Sequence, residues 1–259
     1  MSTTMIRQTA SPAPRRSRLD RRTAMHLAAV EYDRFAATLA GLHVDDWARP
    51  TLCTRWDVRK LACHTVGMAE MAAGIREGNR QRAIAATDAE AMNIEFIDAL
   101  TDLQVRERSD WDPARIVRGM RDVGPRAARG RRRTPFFIRR RTMPVPQLVN
   151  GRREDWSIGF LVDTVLTRDP WMHRMDIANA VDAEPALTAD HDGVIVGDAV
   201  HEWADRHEQP FTLTLTGPAG GSWSRGEGGP RIEMDAIEFC RVISGRGAAE
   251  GLLATQVPF

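Results

Sequence analysis

Three side chains that can bind a divalent cation occur at positions that helices can bring together. Asp169 and His173 are four residues apart within TRDPWMHRMD, and residues at that spacing lie on one face of a helix. His64 stands in LACHTVGM, where Leu61 and Val66 are core positions of a second helix, so His64 borders the interior. A catalytic zinc site typically has three protein ligands, such as two imidazoles and one carboxylate, and leaves its fourth position open. The spacing therefore predicts a metal site formed by His64, Asp169 and His173.

The same residues also allow an interpretation in which they have only a structural role. Asp169 followed by Pro170 is typical of a helix N-terminus, where the carboxylate would accept hydrogen bonds from backbone N–H groups. A histidine at a helix interface is more often a hydrogen-bonded core residue than a ligand, and Asp-x-x-x-His recurs by chance. Asp163 and Asp176 are nearby carboxylates that could take the place of Asp169. Spacing alone leaves these alternatives open.

The three cysteines offer a rival chemistry. Cys53, Cys63 and Cys240 are odd in number and irregularly spaced, which argues against a disulfide framework and for a reducing compartment. Cys63 is adjacent to His64, but successive side chains on a helix point about 100° apart, so the two make a poor nucleophile and base. We interpret all three cysteines as small buried hydrophobic residues.

Apolar residues recur at helical spacing through most of the chain up to about residue 181. Residues 1–23 are rich in Ser, Thr, Pro and Arg and form the predicted flexible tail. The predicted helices cover residues 24–42, 56–76, 88–107, 113–122 and 156–181, with a kink or restart of the last at Pro170. Helices in this order predict a helical domain over residues 24–184.

The pattern changes after Pro185. The predicted elements there are a helix over 188–206, a strand over 211–216, a second strand beginning at 222–224, a helix over 234–244 and a short final strand. Helices followed by this mixture predict a mixed α and α/β fold, in which residues 185–259 form a small α/β domain.

Composition narrows the classes of partner. The 259 residues carry a net charge of +1, which gives no overall field to attract nucleic acid or a membrane surface. No run approaches the roughly 18 apolar residues of a membrane helix, and the tail lacks the apolar stretch of a signal peptide. We therefore expect a cytoplasmic protein without membrane contact, either a monomer or a homodimer.

Eight arginines lie between residues 126 and 141, where they flank Phe136 and Phe137. Four prolines and these charges predict a long arginine-rich loop over residues 124–150. It could be a solvated loop, a lid that admits an anionic carboxylate substrate, or a nucleic-acid patch whose aromatic rings stack on bases. The near-zero net charge disfavours nucleic acid, so the lid fits an enzyme better.

Two segments and the C-terminal pattern resemble a known family. Residues 46–68, DWARPTLCTRWDVRKLACHTVGM, are similar to a segment of the mycothiol-dependent maleylpyruvate isomerase family that leads into Trp-x-Val-Arg-x-Leu-x-x-His. Residues 168–181, RDPWMHRMDIANAV, look like the family's His-Arg-x-Asp-Ile segment. A Gly-Pro turn, the helix end EFCRVISGR and the tail GLLATQVPF resemble its smaller α/β domain. The likeness touches residues 27–80 and 156–259.

The resemblance implies a fold, cofactors and a site. It implies a DinB-like four-helix bundle that binds a divalent metal, usually taken as zinc, through His, Glu and His, with the shorter Asp169 here at the glutamate position. It implies mycothiol as a low-molecular-weight thiol, which a metal would hold as the reactive thiolate. The expected activity is that of a mycothiol-dependent isomerase or S-transferase on a small electrophilic, anionic substrate.

The smaller domain of the family is expected to supply a basic residue to the site. Arg246, just after Gly245, is the first candidate and Arg241 the second. Either arginine could equally stabilise the C-terminus of its helix through the helix dipole. Two rival hypotheses remain: a non-catalytic regulatory or binding protein that retains the DinB-like bundle, and nucleic-acid binding through residues 126–141.

Overall fold

Helices dominate the structure, as the apolar spacing predicts. The computed structural model describes residues 13–259. Its helices are α1 (Arg21–Ala40), α2 (Val58–Ala73), α3 (Ile75–Met92), α4 (Phe96–Arg106), α5 (Pro113–Arg133), α6 (Phe136–Arg139), α7 (Ile158–Phe160), α8 (Leu166–Ala180), α9 (Asp192–His207) and α10 (Ala236–Ile243). Its strands are β1 (Gln147–Val149), β2 (Arg152–Glu154), β3 (Phe211–Thr216), β4 (Gly221–Arg225) and β5 (Arg231–Asp235).

Helices α1, α2, α5 and α8 form the predicted four-helix bundle. Each turns an apolar stripe inward, and residues such as Phe35, Leu61, Ile116 and Ile177 are fully buried between them. Asp20 caps α1 by accepting hydrogen bonds from the backbone N–H groups of the first turn. Burial of these stripes is the main source of stability for helices of this length.

The α3–α4 pair packs outside the bundle, against α2. The sequence predicts one helix over residues 88–107 with Ile94 and Ile97 inward, and this prediction is wrong. Asn93 adopts a left-handed conformation (φ 52°) that ends α3, as asparagine does more readily than most residues. The chain reverses there, which leaves Ile94 and Ile97 partly exposed at the turn.

Much of the predicted arginine-rich loop over 124–150 is helix. Helix α5 continues through Pro125 to Arg133, because Val123, Ala127 and the buried Arg131 keep the inward spacing of the preceding turns. Gly130 lets α5 approach α2 closely, since a Cβ there would overlap the backbone of Ala72. Packing thus outweighs the lost hydrogen bond of an internal proline.

The rest of that stretch is also structured. Helix α6 presents Phe136 and Phe137 to solvent, with 65% and 64% of each residue exposed. Strands β1 and β2 pair as an antiparallel hairpin, and Thr142 bridges to Ser157. The prediction of a loop over 124–150 is therefore wrong except at short connections.

The helix that carries Asp169 continues through Pro170, where the sequence predicts a kink or a restart. A π-helical turn (Leu161–Val165) precedes α8, and Pro170 lies inside α8. Proline has no N–H for the carbonyl of Leu166, four residues back. The buried Arg131 of α5 supplies that donor: its Nη1 lies 2.9 Å from Leu166 O, and its Nε lies 2.9 Å from Val162 O. An arginine of the supposed loop therefore supports the helix that carries the candidate site.

The C-terminal part contains the predicted α/β elements and one strand that the sequence analysis missed. Strand β3 is central, antiparallel to β4 and parallel to β5. The missed strand is β5, whose last residue Asp235 caps α10. The predicted final strand is wrong: residues 251–254 form a 3-10 turn. Trp203 and Phe239 belong to the same buried apolar cluster as Trp171 of α8, and this cluster joins the C-terminal part to the bundle.

The first helix of the bundle begins three residues earlier than the sequence predicts. Of the predicted tail over 1–23, residues 1–12 lie outside the described part, and residues 21–23 already belong to α1. Arg15 pairs through its backbone with the segment around Trp156. The boundary near residue 184 stays a prediction. Within residues 13–259, no helix is both long and apolar enough to span a membrane.

Candidate metal centre

The structure brings together the three residues that the sequence predicts as metal ligands. His64 projects from the middle of α2, and Asp169 and His173 project from one face of α8. The Nε2 atoms of both imidazoles lie 3.4 Å from Oδ1 of Asp169. The two rings stand edge to face, with centroids 5.3 Å apart and planes at 88°. We call these three residues the His64 cluster.

The cluster fits a divalent cation. Four tetrahedral donors about 2.1 Å from zinc lie about 3.4 Å from one another, which is the separation of each imidazole nitrogen from Asp169 Oδ1. Asp169 Oδ2 is buried and receives no hydrogen bond from any residue in the described range 13–259. Because α8 continues through Pro170, Asp169 is not the helix N-cap, and its carboxylate is free to take part in the cluster.

The electrostatics of the cluster favour a positive charge between its members. Burial alone would lower the pKa of His173, but the carboxylates of Asp169 and Asp176 raise it well above its usual 6.5. Burial alone would raise the pKa of Asp169, but the neighbouring imidazoles of His173 and His64 outweigh burial and hold that pKa far below its usual range. A proton bound between these groups places positive charge where a divalent cation would lie, so the two would compete for the same position.

Asp176 orients the imidazole of His173. Its Oδ2 lies 3.2 Å from Nδ1 of His173, and an ionised carboxylate can only accept a hydrogen bond. His173 therefore donates through Nδ1, and Nε2, which faces Asp169, is the nitrogen that can take either a proton or a metal ion. A carboxylate behind a ligating histidine is the usual support in zinc sites. Asp176 thus supports the cluster instead of replacing Asp169.

Two further side chains line the cluster. The Trp56 ring packs against His64 in a tilted arrangement, with centroids 4.9 Å apart and planes at 32°. Cys53 is half-buried, with Sγ 3.6 Å from Asp176 Oδ2, and its Sγ, a nitrogen of His173 and an oxygen of Asp176 lie within 4.8 Å of one another. The interpretation of Cys53 as an ordinary core residue therefore misses its position, because the connector before α2 carries no periodic pattern that would place it.

Arg246 reaches the cluster from the C-terminal part of the chain. Its Nε lies 3.1 Å from Asp176 Oδ2, and its Nη2 lies 3.8 Å from Cys53 Sγ. The helix end places it there: Gly245 has a φ of +82°, and the N–H groups of Gly245 and Arg246 bond back to Val242 and Arg241. This is the Schellman ending, in which glycine takes the left-handed position.

The other candidates have other partners. The guanidinium of Arg241 lies 3.7 Å from Glu238 on its own helix, as expected for a residue that stabilises a helix C-terminus. Asp163 pairs with Arg139. The structure therefore brings Arg246 to Asp176 and Cys53, beside the His64 cluster, and directs Arg241 and Asp163 elsewhere.

Comparisons with known proteins agree with this architecture. The sequence model of the mycothiol maleylpyruvate isomerase N-terminal domain matches residues 28–178, which is more than half of the chain and includes the whole His64 cluster. The chain belongs to this family. It is also 25% identical, over 236 residues, to an uncharacterized protein of Mycobacterium tuberculosis that occurs in two strains, and the match spans 86% of this chain and 84% of the relative.

Solved structures extend the likeness beyond the N-terminal domain. The crystal structure of the mycothiol-dependent maleylpyruvate isomerase superposes with a TM-score of 0.55 at 16% identity. A histidine-to-alanine mutant of that enzyme superposes with a TM-score of 0.56 at 14% identity. Both comparisons span 88% of this chain and 90% of the other. At these identities the likeness shows the shared fold, a helical bundle followed by a small α/β part.

Proposed function

We propose that the chain is a metal-dependent enzyme that uses mycothiol to isomerise, conjugate or transfer a group on a small electrophilic substrate. The observation that carries the proposal is the convergence of two imidazole nitrogens on the Asp169 carboxylate, whose buried Oδ2 has no hydrogen-bond partner within residues 13–259. Membership of the mycothiol maleylpyruvate isomerase family supports mycothiol as the thiol.

His64, Asp169 and His173 would hold the metal, with zinc the best match to two nitrogens and one oxygen. When bound with an open position, such a metal lowers the pKa of a thiol that coordinates it, which supplies a nucleophile at neutral pH. Aspartate is shorter than the glutamate that the resemblance implies. Here α8 places Asp169 Oδ1 within 3.4 Å of both imidazoles, so the shorter side chain still reaches.

Arg246 would bind an anionic group of the substrate beside the metal ligands. Its guanidinium is 15% exposed and bonds to Asp176 through Nε, which fixes its plane. Its Nη2 points toward the half-buried Cys53 thiol, so Nη1 and the remaining N–H bonds stay available for a carboxylate, the partner that the fork of a guanidinium matches best.

The proposal is tested by metal content and by thiol chemistry together. Purified protein is loaded with zinc and desalted, and consumption of maleylpyruvate is measured with and without mycothiol. We expect about one zinc per chain and a rate that requires both. His64→Ala should lose the metal and the rate, whereas His201→Ala, which changes an exposed histidine of α9, should keep both. Loss of neither in His64→Ala would reject the site.

The substrate is tested separately from the cofactor. If zinc and mycothiol are bound but maleylpyruvate is not converted, a panel of small anionic electrophiles should reveal conjugation as loss of free thiol. Binding of zinc with no thiol chemistry on any of them would favour a non-catalytic member of the family. Salt-dependent retention of mixed-sequence DNA would instead favour a role for the arginines of α5 and α6.

A further inference from the structure

A chain of buried hydrogen bonds runs from His64 out to the α3–α4 pair. His64 Nδ1 lies 2.8 Å from Oε1 of Gln104, and Nε2 of Gln104 donates to Oε1 of Gln81 at 2.9 Å. Nε2 of Gln81 donates to the carbonyl of Gly67 at 3.1 Å and to Glu77 at 2.9 Å. Both glutamines have no solvent-accessible surface. We call Gln104 and Gln81 the amide relay.

The direction of every hydrogen bond in the relay follows from its outer end. The Gly67 carbonyl can only accept, and so can ionised Glu77, whose pKa is lowered to about 2 by its hydrogen bond from Arg80. Gln81 must therefore present its NH₂ to both, and its oxygen to Gln104. Gln104 then presents NH₂ to Gln81 and its oxygen to the imidazole.

The close approach that the relay needs is built into α2. Gly67 lies one turn after His64, and a Cβ at Gly67 would lie 2.7 Å from both Cβ and Cγ of Gln104. Real Cβ atoms essentially never approach that closely. Gly67 thus serves the relay twice, through its missing side chain and through its carbonyl oxygen, and α2 carries both the candidate ligand and the surface that orients it.

We propose that Gln104 and Gln81 are positioning residues that fix His64 in the tautomer with its proton on Nδ1, so that the lone pair of Nε2 faces Asp169. The proposal rests on the metal-dependent function proposed above. It makes the two histidine ligands unequal, because a carboxylate orients His173 whereas a neutral amide orients His64. A neutral acceptor fixes the tautomer without adding a second negative charge behind the metal.

Removal of the acceptor should change the ring that it orients. In Gln104→Leu, Nδ1 of His64 loses its acceptor, and the proton moves to Nε2, where Asp169 accepts it. Long-range ¹H–¹⁵N spectra of the metal-free protein, with His64 assigned by comparison with His64→Ala, report which nitrogen carries the proton when the ring is neutral. We expect Nδ1–H in the wild type and Nε2–H in the variant. Chelator competition should show zinc affinity reduced about 10- to 100-fold.

Gln81→Leu tests the relay itself. Gln104 keeps its amide but loses the partner that fixes its orientation, so both tautomers of His64 should appear and zinc affinity should fall by a smaller factor. Thr65→Val is the matched control, because Thr65 is a buried neighbour of His64 whose hydroxyl bonds to the Leu61 carbonyl. It should leave both the tautomer and the zinc affinity unchanged.

The double variant Gln81→Leu/Gln104→Leu guards against a folding defect, since replacing both partners by apolar groups can be nearly neutral for stability. It should show the same Nε2–H tautomer as Gln104→Leu. An Nε2–H tautomer in the wild type, or an Nδ1–H tautomer that survives in both Gln104 variants, would overturn the proposal. Because the tautomer is read without metal, a failure of zinc binding in every form would count against the proposed function alone.

Discussion

Helix α8 takes part in two buried clusters of histidine and carboxylate that differ in the source of their positive charge. The His64 cluster draws two of its three members from α8. The second cluster, Glu31, His191 and Asp192, surrounds Arg174 of α8 and is called the His191 cluster. In each, the candidate ligand atoms lie within 4.8 Å of one another. The types of ligand atom and the distances between them therefore do not distinguish the two clusters.

The His191 cluster is neutralised from within the chain. The guanidinium of Arg174 bonds to both oxygens of Glu31, at 2.9 and 3.1 Å, and to Asp192 Oδ1 at 2.7 Å. Arg34 bonds to the other oxygen of Asp192 at 2.6 Å. His191 Nε2 lies 2.8 Å from Glu31. Every carboxylate oxygen of the cluster faces a donor, so an added metal ion would have to displace a buried guanidinium.

At the His64 cluster, the arginine bonds to a residue behind one of the candidate ligands and not to a candidate ligand itself. Arg246 bonds to Asp176, which supports His173, and Asp169 itself faces the two imidazoles. A largely buried carboxylate in that position, with 13% of its side chain exposed, is stabilised by a proton or a metal ion that balances its charge. The position of the arginines, more than the identity of the candidate ligands, separates a cluster that is neutralised within the fold from one that is a candidate metal site.

The largest effect that this comparison predicts is on stability. In Arg174→Met the buried carboxylates of Glu31 and Asp192 lose their cation, so the free energy of unfolding should fall by about 3–5 kcal/mol. Urea unfolding followed by circular dichroism measures it. Arg118→Met, at an exposed position of α5, is the matched control and should stay within about 0.5 kcal/mol of the wild type. Equal stability of the two variants would contradict the assignment.

The second prediction concerns metal affinity. Asp169→Asn removes the charge that attracts the cation but keeps the shape, and zinc affinity should fall more than about 100-fold, or about 2.7 kcal/mol. Competition with a chromophoric chelator measures it. Asp192→Asn makes the same change in the His191 cluster and should leave one zinc per chain. Equal loss of zinc in both variants would mean that the clusters are not distinct.

The third prediction concerns the support behind Asp169. Arg131→Met leaves the carbonyls of Leu166 and Val162 without their donor, and stability should fall by about 1–3 kcal/mol. Adding Pro170→Ala restores an N–H that can bond to Leu166, so the double variant should recover part of the loss. If Pro170→Ala gives the same change with or without Arg131, the guanidinium does not substitute for the missing N–H.

The sequence predicts well those features that repeat along the chain. Helical spacing gave the bundle helices, and alternation gave strand β3. The i,i+4 spacing of Asp169 and His173, together with the family-like placement of His64, predicted three candidate ligands that the structure brings together. Arg246, the first candidate for a basic residue, lies 3.1 Å from Asp176, the residue behind His173.

Features that depend on contacts between distant segments could not be predicted in this way. Arg131 looks like its neighbours in an arginine-rich stretch, and only the packing of α5 on α8 buries it. Gln104 follows the inward-facing Leu103, and nothing in this local pattern marks it as a functional residue. Its role depends on the packing of α4 against Gly67. Cys53 lies in a connector without periodicity, and the fold alone places it beside His173.

The smallest predicted effect is the difference between the clusters in acid. Burial would raise the pKa of Asp192, but the Thr188 backbone N–H and the Arg174 charge outweigh it and lower that pKa below 3.8. Stability from this carboxylate is therefore present above its ordinary pKa and lost as the pH falls through the lower folded value. The gap in unfolding free energy between the wild type and Asp192→Asn should be constant near neutral pH and shrink only below about pH 3.8.

Zinc should leave the His64 cluster at a much higher pH. The pKa of His173 is raised well above 6.5, so at neutral pH zinc binds by displacing a proton, and its affinity must rise with pH. As the pH falls from about 8 to 5, bound zinc should be released while the fold, measured by circular dichroism, stays intact. Release only below about pH 4, together with unfolding, would mean that the metal is held by carboxylates instead of imidazoles, and the contrast between the clusters would fail.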